Sequence, residues 1–238
     1  ILIFDREGFL GESFSRKLIK KHLVVFISDR LSPEFSDENL IKIQTQGKIP
    51  KIPDNVYSHI FVFDDGSSSL RNSVPSFLQK SQLDKSFLFF ISDVRKLNQK
   101  LYDEVLDSPS RVKLAILGDV FGKDRIYNEE FVIGKFIEEA NRLGKIKIEG
   151  EGLNYSMPVY DEDAIDSILD LGMGEKAGKV FYIFPDAPVS DISLSRMIKK
   201  IHPDVAIDFT KEGKERRYFL PEGGTFLLGE NYNLSGRI

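Results

Sequence analysis

The residues with the most chemical promise lie within the first thirty positions. Gly8 and Gly11 sit in the turn Asp5-Arg6-Glu7-Gly8-Phe9-Leu10-Gly11, between the apolar run Ile1–Phe4 and a stretch of helical periodicity. A second apolar run, Leu23–Ile27, follows and leads to Asp29. Strand, glycine turn, helix, strand and acid is the order in which a dinucleotide-binding fold builds its phosphate seat and its ribose acceptor. In that reading Gly8 clears the way for a diphosphate to reach the backbone of Gly8, Phe9, Leu10 and Gly11, where a helix start supplies free N–H groups and a favourable dipole. Gly11 lets the helix press close to the first strand. Asp29, 18 residues after Gly11, is placed to accept hydrogen bonds from a ribose 2′-OH. That favours NAD, while the neighbouring Arg30 could accommodate the 2′-phosphate of NADP.

Asp5 stands where a third glycine of such a turn is expected. A carboxylate ~5 Å from a diphosphate costs roughly 1–3 kcal/mol at an effective dielectric of 20–80. Asp5 can turn aside to pair with Arg6, or it can cap the helix and take the anion's place. Either way the turn is compromised, so a chain that binds no cofactor belongs among the expectations.

The elements that must position these residues are short apolar runs rich in β-branched and aromatic side chains: Ile1–Phe4, Leu23–Ile27, Ile60–Phe63, Phe87–Ile91 and Val112–Leu117. Such runs fit strands buried on both faces of a parallel sheet. Between the first two, Leu10, Phe14 and Leu18 recur every four residues and put an apolar stripe on a helix. Five strands with crossovers read as a doubly wound α/β fold. After Gly122 the texture changes. Phe131–Leu143 and Asp161–Leu171 have helical periodicity, Lys145–Ile148, Val180–Phe184 and Val205–Phe209 read as strands, and Ser190 or Asp191 should cap a helix over Ile192–Ile201. The expected organisation is a nucleotide-binding lobe over 1–122 and a smaller mixed α+β substrate lobe over 123–238, the two interleaved.

The bulk numbers narrow the function classes. A chain of 238 residues with 41% hydrophobic and 29% charged residues describes an ordinary globular protein with a real core. Its net charge of −4 argues against nucleic acid as a partner. No apolar run approaches the ~20 residues that span a bilayer. There is no cysteine, which excludes disulfides and thiol chemistry, and His22, His59 and His202 lie too far apart for a zinc motif, so no metal is expected. No leader pattern opens the residues in hand, and the cytoplasm is the expected compartment.

Phe4–Gly11 resembles the T-G-A-T-G-F-I-G turn of the extended short-chain dehydrogenases/reductases, the NAD-dependent epimerase/dehydratase group that acts on nucleotide sugars. Four later segments follow the same family's order. FLFFISDV at Phe87–Val94 is similar to the strand ending in the catalytic serine segment, and LAILGDVFG at Leu114–Gly122 to the R-P-G-N-V-Y-G strand and turn. PVYDEDAI at Pro158–Ile165 is similar to F-V-H-V-D-D-V-A, and Lys179–Phe184, Pro188–Ser190 and Phe226–Gly229 complete the series. The resemblance implies a Rossmann-type sheet, NAD or NADP as cofactor and a nucleotide-sugar-like small molecule as partner. It is also compatible with a homodimer paired through a helix bundle. It would make Ser92 the group that polarises a reacting hydroxyl and Lys100 the group that positions the nicotinamide ribose, with Asp64 against the cofactor.

The departures from the family are specific. Its Tyr-x-x-x-Lys pair puts a general acid/base and its lysine one helical turn apart on one face. Here Lys96 stands where the tyrosine should be, and Tyr102 lies two residues past Lys100. The third expected strand ends in Asp64-Asp65-Gly66 where relatives have small residues. Ser156 falls about where an arginine would hold a diphosphate, with Lys211 near a second such basic position. Two functions follow as expectations. One is a divergent nucleotide-sugar epimerase, dehydratase or reductase. The other is a non-catalytic relative that keeps the fold for binding or assembly.

Overall fold

The computed structural model describes residues 1–7, 10–45, 52–122, 132–211, 213, 216, 220–228 and 232–238. Two compact units divide the chain, one of residues 1–116, 165–181 and 219–225, the other of 117–164, 182–218 and 226–238.

The first unit opens with β1 (Leu2–Asp5), α1 (Gly11–Leu18), β2 (Val24–Ser28), β3 (Leu40–Gln44), β4 (His59–Asp64), α2 (Ser68–Asp84), β5 (Phe87–Asp93), α3 (Gln99–Asp107) and β6 (Val112–Leu117). All residues of β1, β2 and β6 are buried, and all but the first of β4 and β5. Continuous apolar runs therefore form central strands, because both faces must be covered. β3 is the exception. It pairs in parallel with β2 and is the last strand of its edge. None of its residues is buried, and Lys42 and Gln44 interrupt the apolar ones, so the sequence gives no unbroken run there. The strand expected to be third is consequently the fourth.

Parallel pairing joins β2 to β1, β1 to β4 and β4 to β5. Chain order thus reverses between β1 and β4, the point in such sheets where ligands gather outside the carboxyl ends of the strands. Phe14 of α1 packs edge-on to Phe61 of β4, with ring centroids 4.8 Å apart. On the sheet, Phe61 and Phe89 stack at 4.9 Å, and the ring of His59 lies nearly parallel to those of Phe61, Phe87 and Phe89.

The second unit begins with β7 (Asp119–Phe121), α4 (Val132–Leu143), β8 (Lys145–Ile148), β9 (Tyr155–Ser156) and β10 (Pro158–Tyr160). In chain order there follow helix α5 (Asp161–Met173), whose residues from Ile165 belong to the first unit, and strand β11 (Val180–Ile183), then β12 (Val189–Ser190), α6 (Asp191–Ile201) and β13 (Ala206–Phe209) of the second unit, and β14 (Thr225–Phe226). The complete large sheet runs β14-β11-β6-β5-β4-β1-β2-β3. The other strands form two-stranded pairs: β7 with β10 and β8 with β13 in parallel, β9 with β12 antiparallel. Ile133, Phe136 and Ala140 of α4 share a core with Leu194 and Ile198 of α6 and with Ile146 and Ile148 of β8. Ser190 caps α6, accepting from Ser193 N–H at 3.3 Å.

Candidate functional site

Asp5, the last residue of β1, decides the character of the β1–α1 turn. It is 3% exposed, and its Oδ2 accepts from Leu10 N–H at 3.0 Å and Gly11 N–H at 2.7 Å. The carboxylate therefore caps α1, satisfying amides that a helix start leaves open. Gly11 is needed for this fit, because a Cβ there would lie 2.6 Å from Asp5 Cβ and 2.8 Å from Phe26 Cε2. Gly8 and Phe9 lie outside the described residues. Leu10, 1% exposed, contributes its amide to Asp5 and its side chain to the core.

Arg6 pairs elsewhere than with Asp5. Its Nε lies 2.7 Å from Asp65 Oδ2 and 3.8 Å from Asp29 Oδ2. Asp65, whose side chain is 2% exposed, also accepts from Ser67 N–H at 2.7 Å. Asp29 Oδ1 accepts a hydrogen bond from Thr45 Oγ1, and its own N–H donates to the Arg6 carbonyl at 3.0 Å. The proposed ribose acceptor is thus engaged on both carboxylate oxygens. Arg30 is exposed, and its N–H donates to Ser28 Oγ at 3.1 Å.

At the ends of β4 and β5, Asp64 and Ser92 face each other across the strand pairing. Ser92 is fully buried, and its Oγ donates to Asp64 Oδ2 at 2.9 Å. Asp64 Oδ1 accepts from Gly66 N–H at 2.8 Å. Burial pushes the Asp64 carboxyl above the usual carboxylate range, against the hydrogen bonds from Gly66 and Ser92 that favour its charged form. Asp93, next along β5, accepts from the N–H and Nε of Arg95, each at 2.8 Å.

Lys96 and Lys100 do not share a helix. Lys96 lies in the turn after β5, and Asn98 starts α3 by accepting from Leu101 N–H at 2.9 Å. Lys96 Nζ reaches Glu7 at 3.2 Å, and its carbonyl accepts from Arg71 Nη2 at 2.7 Å. Lys100, in the first turn of α3, is 69% exposed with Glu104 as its neighbour at 3.8 Å. Tyr102 Oη donates to the carbonyl of Glu222 at 3.3 Å. The Asn98 cap delays the helix past Lys96, so Lys96 and Lys100 do not stand one turn apart on one helix face.

Within the second unit, Ser156 is fully buried and accepts from Arg216 Nη1 at 3.3 Å. Arg216 also pairs with Asp191 and donates its backbone N–H to Asn154 Oδ1 at 3.1 Å. Burial raises the Asp191 carboxyl, and the Arg216 guanidinium opposes that rise. Sequence reasoning looked for a basic group at Ser156 and Lys211 and missed Arg216, which comes to Ser156 from 60 residues away. Lys211 is exposed. Among the described residues there is no group of three or more side chains that could hold a metal ion, and no helix long and apolar enough to cross a membrane.

No protein-family model matches the sequence, and no curated protein matches it. Solved structures do match the fold. A dTDP-glucose 4,6-dehydratase from Bacillus anthracis, in complex with NAD, superposes with a TM-score of 0.65 at 14% identity over 92% of this chain and 86% of that one. A UDP-glucose 4-epimerase from Thermotoga maritima, with UDP-glucose, gives 0.62 at 18% identity over 90% and 87%. A UDP-N-acetylglucosamine 4-epimerase from Methanobrevibacter ruminantium, in complex with UDP-N-acetylmuramic acid, gives 0.63 at 16% identity over 98% and 89%. The chain has the Rossmann-type fold of nucleotide-sugar epimerases and dehydratases.

Proposed function

We propose that this protein is a divergent member of the NAD-dependent epimerase/dehydratase type that keeps the fold as a binding module and has lost hydride transfer. The observation that carries the reading is Ser92. The serine that the resemblance assigns to polarise a substrate hydroxyl is fully buried, and its Oγ donates to Asp64 at 2.9 Å. Lys96 occupies the tyrosine's place in sequence and is paired with Glu7. At that position an ammonium paired with a carboxylate replaces the tyrosine hydroxyl that the chemistry calls for.

NAD is the cofactor that this type of fold brings to the chain, and a nucleotide sugar its ligand class. The residues present do not fit a dinucleotide seated in the ordinary way. Asp5 holds the amides of Leu10 and Gly11, and Asp29 is engaged by Arg6 and Thr45. A nucleotide sugar remains the ligand we assign to the module.

The test is a turnover screen of UDP- and dTDP-sugars with added NAD or NADP, alongside thermal shift with the same sugars. Ligand-dependent stabilisation without turnover is expected. Sugar conversion by the unmodified chain would overturn the reading in favour of a working epimerase, dehydratase or reductase. In that alternative Ser92 and Lys100 would act on hydroxyl and ribose, and both would have to leave the positions described above.

A further inference from the structure

We infer that the amides of Leu10 and Gly11 at the start of α1 are self-liganded: the Asp5 carboxylate stands in for a diphosphate, and the anion seat those two amides offer is latent. This goes beyond the loss of hydride transfer, although it shares with that reading the assignment of an NAD-type fold. Three observations carry it. First, Asp5 Oδ2 lies 3.0 Å and 2.7 Å from the amides of Leu10 and Gly11, which is the bonding an anionic oxygen makes at a helix start. Second, Asp5 is buried, so its charge and its volume both exclude a second anion from the same amides. Third, the turn has other anchors. Arg6 is held by Asp65, its carbonyl accepts from Asp29 N–H, and Glu7 is held by Lys96. Removing the Asp5 carboxylate should therefore leave Arg6 and Glu7 anchored and the Leu10 and Gly11 amides open.

The position is suited to test. Asp5 already carries a Cβ that the packing accommodates beside Gly11, so Asp5→Ala adds no atom, and Asp5→Gly removes one more. Wild type, Asp5→Ala and Asp5→Gly are melted by circular dichroism with NAD, ADP or inorganic pyrophosphate at millimolar concentration. The wild type should show no rise in Tm. Each folded variant should melt lower without ligand and rise with ligand dose, with affinity for NAD and pyrophosphate at least about tenfold above wild type, as expected when like charge is removed. A folded variant with no rise overturns the inference.

A second measurement needs no variant. In a 15N–1H spectrum of the wild type, the Leu10 and Gly11 amides should be unmoved by pyrophosphate up to millimolar levels, and a saturable shift at either amide overturns the inference. The two readings fail separately. Sugar turnover by the wild type sinks the proposed function, whereas silent variants or moving wild-type amides sink only the self-liganded turn.

Discussion

Asp64, the last residue of β4, pairs in register with Ser92, the next-to-last of β5, and the serine hydroxyl donates to the carboxylate across the pair at 2.9 Å. Removing that donor leaves a buried carboxylate with one partner fewer. Ser92→Ala should cost about 1–3 kcal/mol, the range for stripping a hydrogen bond from a buried polar group. Urea unfolding would read it as a lower midpoint at unchanged slope. An unchanged midpoint would mean that the hydroxyl is not structural and would return Ser92 to the list of reacting groups.

The same pair predicts a pH dependence. Burial is the largest influence on Asp64 and raises its carboxyl above 3.8. A raised folded value means that the stability it contributes is fully present below the unfolded value and is lost as pH rises through the folded one. Asp64→Asn cannot ionise, so it should gain on the wild type as pH climbs from 3.8 through the raised value, after which the difference between the two stays constant. Melting both proteins between about pH 3 and pH 8 tests this. A difference that stays flat across the range would refute it.

Gly11→Ala should be among the more damaging single-methyl additions in the first unit. The new carbon would meet Asp5 Cβ at 2.6 Å, Phe26 Cε2 at 2.8 Å and Asp5 Oδ2 at 2.9 Å. Overpacking of this kind costs about 1–3 kcal/mol. Here it should also disturb the amide bonding of Asp5. Denaturant midpoints measure the cost, and the Leu10 and Gly11 amide resonances report the disturbance.

Lys100→Ala should be almost silent for stability. The side chain is 69% exposed, and its contact with Glu104 is a surface i,i+4 pair at 3.8 Å. Such pairs contribute about 0.3–0.5 kcal/mol at most, and less in salt. A Tm change too small to resolve is expected. A loss of several degrees would show that Lys100 makes contacts beyond that pair.

How much of this was legible in the sequence depends on burial. The central strands stand out because both faces are covered and the apolar runs are unbroken, as in FLFFI of β5. β3 was missed because it is a five-residue edge strand with no buried residue, its apolar run broken by Lys42. β9, β12 and β14 have two residues each, too few for any period. Helix α2 buries Leu70, Val74, Phe77 and Ser81 along one face, yet its serines and Pro75 mask the stripe.

The site divides similarly. That Asp5 would cap or pair was readable from its place before a helix, but its partners were not, because they depend on which way a carboxylate turns. Arg6 reaches Asp65, 59 residues on, and Arg216 reaches Ser156 from as far. Pairings of that range come from the fold's crossovers and leave no local trace.

The ring stack on β4 and β5 supplies a reporter. The chain has no tryptophan, so the usual fluorescence readout is absent. The imidazole of His59 lies nearly parallel to the rings of Phe61, Phe87 and Phe89, at centroid separations of 6.3, 5.6 and 6.5 Å. Aromatic ring currents will displace its carbon-bound proton signals from their free positions, and those signals return when the two strands unzip. One histidine can thereby follow the integrity of the sheet's centre by magnetic resonance, without a label.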